Sequence, residues 1–213
     1  MKTKVKICGI NSLKALKAAN RADFLGFIFY GKSPRFVNAK KAKLLADSCL
    51  SFQKKVGLFV DSDNHVIEYI TEYVGLDYIQ LHGDENIEKI KYLKNKLNVP
   101  IIKSIPIKTI EDFQKLSYYE KVCDIILLDS KPSNNSLTGG TGKTFNWKLL
   151  KNISFEKEWM LAGGLNEENI LDAIKITDAP IVDISSGLES SEGIKCPEKI
   201  KQFLDIVKLN RII

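Results

Sequence analysis

The sequence predicts an α/β fold, a single (β/α)8 TIM barrel over residues 1–213, on three observations. Eight short apolar runs recur near residues 4–8, 24–29, 56–60, 77–81, 100–104, 124–129, 159–162 and 181–185. Stretches of helical period lie between them, among them 39–48, 64–73, 86–97, 110–118, 167–176 and 198–208. The runs are apolar at consecutive positions, as in Ile125-Ile126-Leu127-Leu128. Such strands are buried on both faces, as in a parallel sheet covered by helices. Eight units in 213 residues leave room for one core and no second domain. An open doubly wound sheet is the alternative.

The bulk properties narrow the function. The net charge is +6, but the excess reads as lysine scattered on helix faces, with arginine only at Arg21, Arg35 and Arg211. Nucleic-acid readers cluster arginine, so a nucleic-acid partner is not expected. No run reaches the roughly 18 apolar residues of a membrane span, and a cytoplasmic location is expected. Cys8, Cys49, Cys123 and Cys196 form no CxxC pair, and with only His65 and His82 no metal site is expected.

Taken in order, the strand ends gather polar groups on one rim, where barrels of this class build active sites. The first run ends at Cys8-Gly9, and Asn11-Ser12 then signals a helix start. Cys8 is the candidate general base. After the second run, Pro34 stiffens the loop that carries Arg35. Arg35 reads either as a surface arginine or as a bidentate clamp for a carboxylate. The fourth run ends Gln80-Leu81-His82. His82 reads as an acid–base group or as a structural histidine, and period two puts Gln80 on its face, inside the barrel. Lys103 interrupts the fifth run, pointing into the barrel mouth or snorkelling at the strand end.

The sixth run ends at Asp129, partly desolvated after four apolar residues, as suits a general acid. The loop beyond it carries Gly139-Gly140-Thr141-Gly142-Lys143-Thr144. It is not a Walker A loop, because that motif needs glycine where Leu137 stands. It reads as a flap over the site, with Gly140 and Gly142 as candidate phosphate contacts. The seventh run ends at Gly163-Gly164, with Asn166 as a helix N-cap. The eighth ends Asp183-Ile184-Ser185-Ser186-Gly187. Paired glycines and serines at successive strand ends suit phosphate, through backbone N–H groups and hydroxyls. Asp183 shares the face of Ser185 and is placed to reach a substrate hydroxyl.

As a set, these motifs resemble the phosphoribosylanthranilate isomerase family. The resemblance rests on Lys6-Ile7-Cys8-Gly9, Gly26-Phe27-Ile28-Phe29, Ser33-Pro34-Arg35, Val56-Gly57-Leu58-Phe59-Val60 and Gln80-Leu81-His82-Gly83. It continues through Leu127-Leu128-Asp129, Gly140 to Phe145, Leu161-Ala162-Gly163-Gly164-Leu165 and Val182-Asp183-Ile184-Ser185-Ser186-Gly187. It implies a cofactor-free barrel, monomeric or homodimeric, acting on a small phosphorylated substrate in tryptophan biosynthesis. The reaction implied is an Amadori rearrangement with Cys8 as base, Asp129 as acid and Arg35 on the anthranilate carboxylate. Phosphate falls to Gly163-Gly164 and Ser185-Ser186-Gly187. Asn146, Glu192 and Cys196 depart from the family pattern, in which aspartate, proline and aspartate are common. The competing readings are the histidine-pathway isomerase, which carries aspartate where Cys8 stands, indoleglycerol-phosphate synthase, and a non-catalytic phosphometabolite binder.

Overall fold

The computed structural model describes residues 3–130 and 144–209. Eight parallel strands close into a barrel in sequence order: β1 (Lys4–Cys8), β2 (Phe24–Ile28), β3 (Lys54–Phe59), β4 (Tyr78–Leu81), β5 (Ile101–Ile107), β6 (Ile125–Ser130), β7 (Glu158–Leu161) and β8 (Ile181–Ile184). Closure pairs β1 with β8, setting Lys6 opposite Asp183, while Cys8 lies opposite Gly26 of β2.

The helices are α1 (Leu13–Ala18), α2 (Ala39–Ala46), α3 (Asn64–Val74), α4 (Ile87–Leu97), α5 (Leu116–Tyr119), α6 (Ile170–Thr177) and α7 (Pro197–Leu209). A short antiparallel hairpin, β9 (Glu189–Ser191) and β10 (Ile194–Lys195), follows β8. The expected 110–118 helix is instead a 3₁₀ segment, Ile110–Lys115, running into the single turn of α5. The helix expected from 167 starts at Ile170, because Asn166 Oδ1 accepts the N–H groups of Glu168 and Asn169 and holds a turn ahead of it. Ser12 does cap α1, accepting the Ala15 N–H at 3.2 Å.

Strand alternation divides the core. Val5, Ile7, Leu25 and Phe27 face the helices in the large outer cluster. Their neighbours face the axis, where Phe24, Val56, Ile102, Ile125, Leu127, Met160, Ala162 and Ile181 form a closed plug. The plug fills the barrel interior among the described residues, and the strand C-termini open above it. There Cys8, Ile28 and Leu58 form a separate small cluster.

Candidate active site

The site is a partly open cleft above the plug. Among its lining residues are Cys8, Arg35, Gln80, His82, Asp129, Gly163, Gly164, Asp183, Ser185 and Ser186. Six separate strand ends and loops thus converge, as the alternation of each strand requires. Gly187 does not line the cleft. It packs tightly on α6's approach, where an added Cβ would sit 2.2 Å from the Leu165 carbonyl oxygen. Gly140, Gly142 and the rest of the expected flap to Lys143 lie outside the described residues.

Cys8 ends β1 with a buried thiol. Burial disfavours the thiolate and pushes the thiol above its ordinary value, although Lys6 and Lys195 pull it back. Lys6, two residues earlier on the same face, is 0% exposed, and its Nζ lies 2.9 Å from Asp183 Oδ2. Burial alone would lower Lys6, but Asp183 and the Cys8 thiol outweigh it and hold the ammonium above its ordinary value. Asp183 Oδ1 is buried and takes no hydrogen bond among the described residues.

Asp129 stands at the end of β6, partly buried, with Oδ1 accepting the Ser130 N–H at 2.7 Å. His82 Nε2 lies 3.4 Å from Asp129 Oδ2, and His82 Nδ1 lies 3.1 Å from Gln80 Nε2. This contact ties the imidazole to the Gln80 side-chain amide, and the other ring nitrogen faces Asp129. Gln80 is therefore interior, as period two requires.

Arg35 is not a surface arginine. It is 8% exposed and already clamps a carboxylate, with Nε 2.6 Å from Glu189 Oε1 and Nη2 2.8 Å from Oε2. Gly9, at φ +80°, makes room for it, since a Cβ there would lie 2.9 Å from Arg35 Cδ. Glu189 also accepts from Lys195 Nζ at 2.5 Å, and Lys195 in turn donates to the Ser185 carbonyl and hydroxyl at 3.0 and 3.1 Å. Burial pushes the Glu189 carboxyl up, but Arg35 and Lys195 outweigh it and leave it below its ordinary value. On the opposite loop Gly163 and Gly164 adopt φ +88° and +62°, a turn open to glycine that brings backbone close to the cleft.

Two sequence expectations are corrected. The lysine excess is not all on helix faces, because Lys6, Lys103 and Lys195 are buried. Lys103 points neither into the mouth nor to solvent. It faces the helix layer beside Leu81 in register, where its Nζ meets Glu85 Oε2 at 2.9 Å and the Gly83 carbonyl at 2.5 Å. Sequence reasoning missed Lys6, Glu189 and Lys195 as site residues. For Lys6 a signal existed, since period two places it on the face of Cys8.

The family model for N-(5'-phosphoribosyl)anthranilate isomerase matches residues 5–206. The N-(5'-phosphoribosyl)anthranilate isomerase of Paracoccus denitrificans is 40% identical over 207 residues, covering 96% of each chain. The solved phosphoribosyl anthranilate isomerase of Thermotoga maritima superposes with a TM-score of 0.88 at 34% identity, covering 97% of this chain and 98% of that one. A further solved phosphoribosyl anthranilate isomerase, in complex with reduced 1-(o-carboxyphenylamino)-1-deoxyribulose 5-phosphate, gives a TM-score of 0.85 at 31% identity over 97% and 98% of the two chains.

Proposed function

We propose how this site works from a plain premise: the chain belongs to the N-(5'-phosphoribosyl)anthranilate isomerase family. It is an isomerase of tryptophan biosynthesis, converting N-(5'-phosphoribosyl)anthranilate to 1-(2-carboxyphenylamino)-1-deoxyribulose 5-phosphate. The assignment of roles to residues is our reading. The observation that carries it is that one thiol and one carboxyl group, from β1 and β6, line the same cleft above the plug.

Asp129, protonated, donates to the ribose ring oxygen, and the C1–O bond breaks to leave an iminium between C1 and the anthranilate nitrogen. His82, with Nε2 3.4 Å from Asp129 Oδ2, then faces the carboxylate that Asp129 has become, and the Gln80 contact fixes the ring's place. Cys8, as thiolate, removes the C2 proton, made acidic by the iminium. The electron pair of the C2–H bond forms the enolamine, which takes a proton at C1 as its C2 hydroxyl gives one up, leaving the C2 ketone. Lys6 and Lys195 are the protein cations that favour the thiolate. Their pull falls short of the cost of burial in the free protein, so the bound iminium supplies the remaining stabilisation of charge.

The rest of the cleft orients the substrate. Asp183 Oδ1 is an unused acceptor suited to a ribose hydroxyl. The Gly163-Gly164 turn and Ser185-Ser186 offer backbone and hydroxyl donors to the phosphate. Arg35 reads the anthranilate carboxylate with the edge of its guanidinium that Glu189 leaves open. We read the substrate as the sole small-molecule partner of the reaction, with no cofactor.

The test is a kinetic comparison of Asp129→Ala and Asp129→Asn with wild type. A positioned acid contributes about 10²- to 10⁴-fold, so both variants should lose at least that lower factor in kcat while melting within a few degrees of wild type. Folded variants with near-wild-type kcat would remove Asp129 from the acid role.

A further inference from the structure

The reading above asks Arg35 to recognise a carboxylate, yet its Nε and Nη2 are bound to a carboxylate of the protein itself. The surroundings show what that contact does. Glu189 is buried and bound on every side: Arg35 at 2.6 and 2.8 Å, Lys195 Nζ at 2.5 Å and the Gly193 N–H at 3.0 Å. The hairpin that carries it is anchored to the β1 loop by Asn11 Nδ2 donating to the Gly193 carbonyl at 2.8 Å. A bidentate pair fixes the plane and rotation of a guanidinium, which a single contact does not. With one edge held by Glu189, the remaining donors of Arg35, which lines the cleft, are aimed at a fixed place. The charges in direct contact are two cations, Arg35 and Lys195, and one anion, Glu189. The group therefore keeps one positive charge, enough to balance one ligand carboxylate. Without Lys195, the ion pair of Arg35 and Glu189 would be neutral and would offer a ligand carboxylate no net attraction.

We infer that Glu189, balanced by Lys195, is the positioning residue that aims Arg35 and thereby makes this site specific for a substrate bearing an ortho-carboxylate on its arylamine. The inference rests on the Arg35 reading above. The occupant it favours is an arylamine with one anionic group beside the nitrogen. An unsubstituted aniline is disfavoured, because it would leave the aimed donors buried and unpaired.

The experiment measures inhibition by two reduced product analogues, both carrying the phosphate. One has the ortho-carboxylate and the other has a plain phenylamino group. Their affinity ratio cancels whatever the phosphate loops contribute. Wild type should prefer the carboxylate analogue by on the order of 10- to 100-fold, the range of a charge-assisted hydrogen-bonded contact. Glu189→Gln should cut that ratio several-fold, raise KM by a similar factor and leave kcat within about threefold, and Glu189→Asp should restore part of the ratio. If Glu189→Gln fails to fold with Lys195 uncompensated, Glu189→Gln with Lys195→Met keeps the same net charge and is read by the same ratio. A variant with the wild-type ratio, or one that loses both analogues equally, overturns the inference and leaves the Arg35 reading standing. A wild-type ratio near one overturns both.

Discussion

Replacing Lys6 by methionine tests the link between the barrel's closure and its chemistry. Lys6 and Asp183 face each other across the β1–β8 seam, with Nζ and Oδ2 2.9 Å apart and both side chains buried. Asp183 Oδ1 has no hydrogen-bond partner among the described residues, so removing the ammonium leaves a buried carboxylate without its nearest countercharge. Breaking one side of a buried pair costs about 3–5 kcal/mol. For a chain of this size each kcal/mol moves Tm by about 2–4 °C, so Lys6→Met should melt roughly 6–20 °C below wild type. Removing the second charge as well, with Asp183→Asn, should recover most of that loss, because no unpaired ion remains. Activity should not follow stability. Cys8 has lost a neighbouring cation in Lys6→Met, and the double variant has also lost the carboxylate proposed for the ribose hydroxyl, so turnover at a temperature where all are folded should stay well below wild type. Thermal melts and kinetics on wild type, both single variants and the double variant make the assay. A Lys6→Met melt within about 2 °C of wild type, or a double variant as unstable as the two single losses added, would refute the reasoning.

Two further predictions follow from the same structure. Thiolate absorbance near 240 nm, taken as the difference between wild type and Cys8→Ala, should titrate on the alkaline side of the ordinary thiol value of 9.0. The sign follows because burial penalises the charged, deprotonated form; a midpoint below about 8 would mean that Lys6 and Lys195 outweigh burial. Cys196 occupies the N-cap of α7, accepting the Ile200 N–H on its carbonyl at 3.1 Å, and its thiol donates to Glu198 instead of capping. Cys196→Asp should therefore stabilise the protein by about 1 kcal/mol, seen as a rise of about 2–4 °C in Tm; no rise would show that the helix end gains nothing from a better acceptor.

Much of this architecture was legible because its signals are local. Apolar runs such as 125–128 are short, repeated and bounded, and all but the fifth end near a residue that faces the cleft. Strand alternation alone put Gln80 with His82, and Asp183 with Ser185. The buried lysines were harder, because Lys6, Lys103 and Lys195 share a letter with the surface lysines and differ in carboxylate partners that only the fold brings to them. Glu189 is the clearest case. Its strand is three residues long, too short for alternation to speak, and its Arg35 partner is 154 positions away. Arg35 was ambiguous for the same reason, since only that contact shows it to be an interior group. Asn146 caps the 3₁₀ turn that follows it, its Oδ1 accepting the Lys148 N–H at 3.1 Å.

The most direct test of the central claim follows anthranilate-type fluorescence in a single turnover. Phosphoribosylanthranilate is generated in situ, and excess coupling synthase draws the product forward. Wild type should consume the substrate rapidly, while folded Cys8→Ala should show no loss beyond spontaneous hydrolysis. Consumption by Cys8→Ala at the wild-type rate would contradict the account, since the C2 proton would then be leaving to some other base.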